Sequence, residues 1–151
     1  MASVASDTEV TERIRALNRS AIRNDADYVL YWTQMDRRAE ANFGLNYAIK
    51  LANERDLPLL VYEGLTCTYK QANDRIHTFM LQAVPETARR IKQLGAGDCF
   101  YPRRQRSDRN DVLYRLAARA AVVVTDDYPT FIAAAKQLAR AGQDRRGLLC
   151  G

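Results

Sequence analysis

The stretch DYVLYWTQMDRR, residues 27–38, decides the class of fold. Its first part, Tyr28–Trp32, is apolar throughout, which is typical of a strand that is covered on both faces in a parallel sheet. Polar and charged residues follow this strand without a transition. In open α/β sheets the ligands lie beyond the carboxyl ends of the strands, so the polar end of this strand is a candidate site.

Strands and helices alternate along the rest of the chain. Further apolar runs predict strands at Leu57–Tyr62, Cys99–Pro102 and Ala121–Thr125, and the start of a fifth at Leu148–Cys150. Apolar residues at helical spacing predict helices over Glu9–Arg23, Arg38–Glu54, Asp74–Leu94, Asp111–Arg119 and Pro129–Arg140. The order predicts an α/β, Rossmann-like three-layer sandwich with a mostly parallel sheet of four or five strands.

Breaks in the pattern set the borders of these elements. Residues 1–8 are small and polar and predict a disordered tail ahead of a domain over residues 9–151. Glu63–Asn73 is predicted as a loop. Pro85 lies inside a helical pattern, where proline costs about 3 kcal/mol, so we expect a kink or two consecutive helices. Gly95 and Gly97 are expected to end that segment as C-cap residues.

Composition and charge narrow the class of protein. The 151 residues suffice for one domain with a core, and the net charge of +5 allows nucleic acid or an anionic small molecule as partner. Basic charge alone is weak evidence for such a partner, and a solvated surface is the favoured explanation of the charge. The three cysteines predict free thiols in a reducing compartment. Without an apolar run of about 18 residues or an apolar signal core, we expect a cytoplasmic protein with no membrane partner.

The residues that follow the four predicted strands should gather at one edge of the sheet. They are Thr33, Gln34, Arg37, Arg38, Glu63, Arg103, Arg104, Asp126 and Asp127.

Several of these residues have a structural interpretation beside the functional one. Trp32 either packs in the core or offers a flat stacking surface to a planar ligand. Of the two arginines, Arg37 and Arg38, one is expected to be a solvated charge, and the other to pair with an aspartate or to hold an anion. Asp126 and Asp127 precede a predicted helix, where carboxylates cap free N–H groups.

Motifs with self-contained chemistry are absent from the sequence. It has no G-x-G-x-x-G, no Walker-type G-x-x-x-x-G-K-[ST] and no G-x-S-x-G. The only histidine, His77, lies in a helical pattern and is expected to be structural or solvent-facing. We therefore predict neither catalytic residues nor a metal site in this chain. The sequence RRQR at residues 103–106 is expected to be a solvated loop, with a DNA contact as the alternative.

The stretch from Tyr28 to Ala52 resembles the N-terminal α/β domain of DNA photolyases, and most closely that of class II cyclobutane pyrimidine dimer photolyases. The resemblance rests on the strand Tyr28–Trp32, then on Arg38, and on Asn42 at the start of a helix with Leu45 and Ala48. LPLLVY, NDRIHTFMLQAV and VVVTDDYP resemble three further family stretches in the same order. The chain departs from the family pattern at Thr33, Phe43, Gly44 and Ala83 and in the Pro85 that follows, which allows a divergent branch.

The resemblance implies a division of labour. In photolyases this domain supports a helical domain that holds FAD, the lesion pocket and the electron-transfer tryptophans, and that domain is absent from the chain. The chain is thus expected to be an inactive fragment of a deoxyribodipyrimidine photo-lyase that meets damaged DNA only as part of the whole protein. Its strand-end cleft would contact the missing domain or hold a deazaflavin or folate antenna chromophore. The cofactor-binding residues implied are Trp32, Thr33, Arg38, Asn42, Glu63, Thr125 and Asp126.

Two alternatives remain open at the level of sequence. One is a free-standing nucleotide- or small-molecule-binding module similar to universal stress proteins, although the glycine-rich phosphate loop of their ATP-binding members is missing. The other is a non-catalytic, cryptochrome-like interaction domain. An apolar patch left uncovered by a missing domain would favour the fragment, and it would cause self-association of the isolated chain.

Overall fold

The computed structural model describes residues 14–18, 20–69, 72–127 and 148–150. Its strands are β1 (Arg15–Ala16), β2 (Tyr28–Thr33), β3 (Leu59–Thr66), β4 (Gly97–Arg103), β5 (Ala120–Thr125) and β6 (Leu148–Cys150). Its described helices are α1 (Phe43–Glu54), α2 (Asp74–Gln93) and α3 (Val112–Ala117).

The strands form one sheet in the order β1-β6-β5-β2-β3-β4. β2 lies in the middle and runs parallel to β3 on one side and to β5 on the other. β4 and β6 extend the parallel arrangement outward, and only β1 is antiparallel. The predicted α/β class with a mostly parallel sheet is confirmed, and the predicted fifth strand is β6.

Hydrophobic residues pack on both faces of the sheet. On one face Val29 and Tyr31 of β2 pack with α1 and with Ile91 of α2. On the other face Leu30 and Trp32 pack with residues of α3 and with Tyr62. Side chains of consecutive strand residues point to opposite faces, so an uninterrupted apolar strand has a core on each side. The central strand is therefore buried along almost its whole length.

The helix predicted over Glu9–Arg23 is wrong for the described residues of that range. Arg15 and Ala16 form β1 and pair with β6, and Asn18 accepts a hydrogen bond from the backbone N–H of Ser20. The apolar spacing that suggested a helix instead lets Leu17 pack against the cluster around Trp32. Residues 9–13 lie outside the described residues.

Two other predicted borders move. α1 begins at Phe43 and not at Arg38, because Asn42 caps it and Ala41 before the cap has φ 48°. Residues 63–66 were predicted as part of a loop, but they continue β3 and pair with residues 100–103 of β4. The pairing partner was invisible in the local sequence, and the charge of Glu63 suggested that the strand had ended.

α2 runs without a break through Pro85, so the prediction of two consecutive helices is wrong. Gly95 follows the helix with φ +78°, a conformation that suits glycine at this position. Gly97 is the first residue of β4, so its predicted capping role is wrong. The tail over residues 1–8 and the helix Pro129–Arg140 lie outside the described residues. No helix in the described part of the chain is long and apolar enough to cross a membrane.

Candidate functional site

A groove of about 460 Å³ lies at the carboxyl ends of β2 and β3. One wall is the loop between β2 and α1, and the other wall is the first half of α2. The groove is lined by Gln34, Met35, Asp36, Arg37, Arg38, Glu63, Phe79, Met80, Ala83, Val84 and Thr87. The predicted strand-end site and this groove therefore share the turn after β2 and Glu63.

The carboxylate of Asp126 holds the loop wall in place. Its Oδ1 accepts the N–H of Gln34 at 2.8 Å, and its Oδ2 accepts the N–H groups of Met35 at 2.6 Å and Asp36 at 3.0 Å. Asp126 is 7% exposed, so these hydrogen bonds satisfy a charge that is almost out of contact with water. The turn after β2, which has no glycine, is thus shaped by a side chain from β5.

Two threonines add to this fixation. The hydroxyl of Thr125 donates to the carbonyl of Trp32 at 2.8 Å and accepts from Nε2 of Gln34 at 3.0 Å. The hydroxyl of Thr33 donates to the carbonyl of Asp36 at 3.0 Å. These hydrogen bonds connect residues within the loop and join the loop to β5. Contacts within this chain therefore fix the conformation of the loop wall.

Asn42 joins the loop wall to α1. Its Oδ1 accepts the N–H of Leu45 at 2.9 Å and the hydroxyl of Tyr31 at 3.1 Å. Its Nδ2 donates to the carbonyls of Asp36 at 2.9 Å and Arg38 at 3.0 Å. An asparagine amide offers two donor hydrogens and one acceptor oxygen, and here all three groups are in use.

The floor of the groove carries an ion pair. Nη1 of Arg37 lies 2.8 Å from Oε1 of Glu63, and both side chains are largely buried. Burial raises the pKa of Glu63 above its ordinary value, and the charge of Arg37 only partly opposes this effect. Arg37 also donates to the carbonyl of Gln34, and its own carbonyl accepts from Thr87 of α2. The pair therefore joins the floor to both walls.

The helix wall is apolar and largely uncovered. Phe79 is 75% exposed, and Met35 opposite it is 52% exposed. In the stretch from Asp74 to Pro85 no residue is buried, and Ile91 is the only buried residue of the whole helix. Within the described part of the chain, the groove therefore has one polar wall, whose N–H groups find acceptors, and one apolar wall that no other element covers.

The seven predicted cofactor-binding residues separate into two groups. Trp32, Thr33, Asn42, Glu63, Thr125 and Asp126 are buried, whereas Arg38 is exposed and pairs with Asp36 at 2.8 Å. Only Arg38 and Glu63 line the groove, and the binding role of all seven stays a prediction. Trp32 is 6% exposed and packs in the core, as its structural interpretation predicts.

The other strand-end residues lie outside the groove. Asp127 pairs with Arg15 at 3.0 Å, Arg103 is the last residue of β4, and Arg104 lies in the turn that follows. His77 packs its ring edge-on against Tyr69, with ring centroids 5.6 Å apart. No group of three or more metal-ligating side chains occurs among the residues that the structure describes.

Sequence reasoning missed the helix wall as part of the site. Phe79, Met80 and Ala83 were recognised as an apolar face of a helix, but such a face predicts a core contact by default. The signal that distinguishes a site from a core is that no apolar element packs over this face among the residues that the structure describes. That absence becomes visible only when the helix is placed beside the sheet.

Comparison with known proteins gives two curated relatives. The deoxyribodipyrimidine photo-lyase of Methanothermobacter thermautotrophicus is 34% identical over 115 residues, which are 76% of this chain and 25% of that protein. The deoxyribodipyrimidine photo-lyase of Potorous tridactylus is 29% identical over 84 residues, 55% of this chain and 16% of that protein. The chain thus spans a quarter or less of these relatives and is photolyase-like over most of its own length. No family model matches it.

The fold also has a counterpart among solved structures. The structure of a universal stress protein from Archaeoglobus fulgidus superposes with a TM-score of 0.53 at 15% identity, covering 82% of this chain and 92% of that one. At this identity the likeness concerns the fold alone. It supports the Rossmann-like α/β architecture that the order of strands and helices predicted.

Proposed function

We propose that this chain is the α/β support domain of a class II-like DNA photolyase. In this function the groove and the apolar wall of α2 receive a helical FAD-binding domain, and the catalysis belongs to that second domain. The similarity to two deoxyribodipyrimidine photo-lyases supports the family. The three backbone hydrogen bonds that Asp126 accepts from residues 34–36, which we call the Asp126 lock, support a structural role for the strand-end residues.

The single observation that carries the proposal is the uncovered first half of α2. A helix in a finished domain buries an apolar stripe, but Phe79 is 75% exposed, and Met35 on the facing wall of the groove is 52% exposed. Exposed apolar groups that lie together commonly mark a protein interface. A cover of this surface by a second domain accounts for a helix whose sequence is amphipathic and whose first three turns have no core.

The same groove is the proposed place for an antenna chromophore, a deazaflavin or a folate. Its volume of about 460 Å³ lies within the range of roughly 300–1,000 Å³ that small-molecule sites occupy. Met35 and Phe79 supply apolar contacts to a ring system, and Arg38 supplies an exposed cation for an acidic tail. Trp32 is buried, so we assign it a supporting and not a stacking role.

A chimera tests the support function directly. The chain replaces the matched segment of the Methanothermobacter thermautotrophicus photolyase, and light-dependent repair of cyclobutane dimers and FAD content are measured. We expect the chimera to keep FAD and repair, and the Phe79→Lys chimera to lose FAD because a charge enters the interface. A chimera with Lys in place of Leu94, an exposed apolar residue just beyond the end of α2, is the matched control.

The antenna is tested on the same chimera by the absorption of the purified protein after incubation with each chromophore. Arg38→Ala is expected to weaken retention of the chromophore, or docking of the helical domain, without unfolding the domain. No change in either property would contradict the role of Arg38.

The alternatives are distinguished by two simple measurements. ATP binding by the isolated chain in calorimetry would favour a free-standing nucleotide-binding module. The mass of the native polypeptide, measured by antibody capture and intact mass spectrometry, is expected to be well above 17.1 kDa and to include a helical flavin-binding region. A native mass of 17.1 kDa would overturn the support function and favour an independent binding or interaction domain.

A further inference from the structure

Arg103, the last residue of β4, and the turn after it form a compact segment rich in arginine, which we name the basic loop and define as residues 103–110. It contains Arg103, Arg104, Arg106 and Arg109, with one carboxylate, Asp108. It lies beside the end of β3, where the N–H of Cys67 donates to the carbonyl of Arg103 at 3.1 Å. None of its residues lines the groove between the β2–α1 loop and α2.

Asp108 gives the basic loop a defined shape. Its Oδ2 accepts the N–H groups of Arg104 at 2.8 Å and Gln105 at 3.1 Å. These backbone hydrogen bonds hold the pKa of Asp108 below its ordinary value, so the carboxylate is charged at neutral pH. The guanidinium of Arg103 crosses the loop and donates to the carbonyls of Asp108 at 3.2 Å and Arg106 at 2.7 Å.

The loop uses its carboxylate for its own backbone and not for its arginines. Asp108 accepts two backbone N–H groups, and Arg103 donates to carbonyl oxygens, so Asp108 makes no ion pair with these arginines; the charge of Arg104 contributes only a minor part of the lowered pKa of Asp108. Arg109 pairs with Asp111 next to the loop and stays 60% exposed. Arg104 and Arg106 are exposed, and no ion pair of the described residues includes either side chain. Two guanidinium groups are therefore presented to solvent from a fixed turn.

We propose that the basic loop contacts the phosphodiester backbone of duplex DNA through Arg104 and Arg106. Arginine suits phosphate oxygens because its planar guanidinium can donate two parallel hydrogen bonds. Gln105 and Ser107 are exposed between and beside these arginines and offer further hydrogen-bond donors. A contact of this kind positions the duplex and does not read its sequence.

The inference goes beyond the proposed function, which assigns DNA contact to the missing helical domain. The choice of DNA over another polyanion rests on the proposed function, but the geometry of the loop does not. The test uses this chain alone, so it can fail while the chimera repairs DNA, and it can succeed while the chimera is inactive.

The first experiment measures binding of a fluorescein-labelled 20-base-pair duplex to the full chain by anisotropy at several salt concentrations. We expect non-specific affinity in the range of roughly 10⁻⁴–10⁻⁶ M, with a logarithmic salt slope of about −0.9 for each phosphate contacted. The double variant Arg104→Ala/Arg106→Ala should reduce the magnitude of that slope by about 1 for each arginine removed.

The matched control is Lys92→Ala/Arg119→Ala. It removes the same number of positive charges at the opposite edge of the sheet, near the starts of β4 and β5. We expect its salt slope to equal that of the unchanged chain. An equal loss of slope in both double variants would overturn the proposal, because net charge alone would then explain the binding.

A second variant separates the shape of the loop from its charge. Asp108→Ala removes a negative charge, so general electrostatic attraction predicts tighter DNA binding. If an ordered loop is required, the same change weakens binding, because Arg104 and Gln105 lose the acceptor that fixes their backbone. We expect weaker binding, and tighter binding by Asp108→Ala would overturn the proposal.

Discussion

α1 and α2 are both capped by an asparagine, but the surroundings of the two caps differ in burial and in hydrogen bonding. Asn42 caps α1 and Asn73 caps α2, and each Oδ1 accepts the N–H of the residue three positions later at 2.9 Å. Asn42 is 1% exposed and also binds Tyr31 and two carbonyls, whereas Asn73 lies on the surface. The same capping hydrogen bond therefore occurs at a buried helix start, that of α1, which we call the sealed side, and at an exposed helix start, that of α2, which we call the open side.

The difference teaches where this domain is complete. The start of α1 is enclosed by the side chain of Tyr31 from β2 and by the carbonyls of Asp36 and Arg38 in the preceding loop, so the polar groups of Asn42 are satisfied within the chain. The start of α2 has a cap but no core beneath its first three turns. A capping hydrogen bond therefore marks the residue at which a helix begins. It does not show that another element packs against that helix.

The largest effect on stability should come from loss of the Asp126 lock. Asp126→Ala removes the acceptor of three backbone N–H groups, and we expect the free energy of unfolding to fall by about 4 kcal/mol in urea titration. Asp127→Ala, which breaks only an exposed pair with Arg15, should cost less than about 1 kcal/mol. Equal costs for the two variants would contradict the lock.

The two caps give the next contrast. Asn42→Ala should cost about 3 kcal/mol, because it removes a cap and leaves Tyr31 and two carbonyls without their partner in a buried place. Asn73→Ala should cost about 1 kcal/mol, the usual value for a surface cap. Urea titration of both variants checks the ratio, and a larger cost for Asn73 would show that the start of α2 is not open.

Two glutamates sharpen the same contrast through pH. Burial raises the folded-state pKa of Glu63 above 4.5, so its ionisation opposes folding, and stability is lost as pH rises from 4.5 through the raised pKa. Hydrogen bonds from Arg89 and Arg90 lower the pKa of Glu86 to about 2, so its contribution is present above 4.5 and lost as pH falls toward 2.

Urea titrations of two isosteric variants test these signs, each in its own pH window. Relative to the unchanged chain, Glu63→Gln should gain stability between pH 4 and pH 7. Glu86→Gln should lose stability relative to the unchanged chain between pH 2.5 and pH 5. The effect at Glu86 should be small and should fade in 1 M salt, because that group is on the surface. If both variants changed in stability with the same sign as pH rises, the assignment of Glu63 to a buried site and of Glu86 to an exposed helix surface would be contradicted.

The smallest effect on stability belongs to the open wall. Phe79→Ser should change the free energy of unfolding by less than about 0.5 kcal/mol, because the ring is 75% exposed. It should nevertheless reduce self-association of the isolated chain in sedimentation velocity. Leu94→Ser, at an exposed apolar residue outside the groove, is the control that should leave self-association unchanged.

The sequence allowed prediction of those elements whose signals are local. β2 and β5 are uninterrupted apolar strands, and α2 starts at Asp74 as predicted because Asn73 and its apolar spacing coincide. The first predicted helix failed because Arg15 and Ala16 pair with β6, a strand at the other end of the chain that local spacing does not reveal. β3 continues through Glu63 because Arg37, far away in the chain, neutralises that carboxylate.

The candidate site was predicted in its location and not in its chemistry. Residues after parallel strands must meet at one edge, so the meeting of Asp126 with the turn after β2 followed from topology. That Asp126 binds three N–H groups of that turn could not follow, because the path of the turn depends on Thr33, Asn42 and Arg37 together.

Pro85 lies between the uncovered start of α2 and Ile91, the residue of this helix that reaches the core. Because proline has no N–H, the carbonyl of Leu81 receives no helical hydrogen bond from it, and the two halves of the helix share one link fewer. In native-state hydrogen exchange, the amides before Pro85 should open at lower free energy than those around Ile91, which are held by the core. The first half of α2 can thus open locally or adjust to a docking surface, while the second half stays packed on the sheet through Ile91.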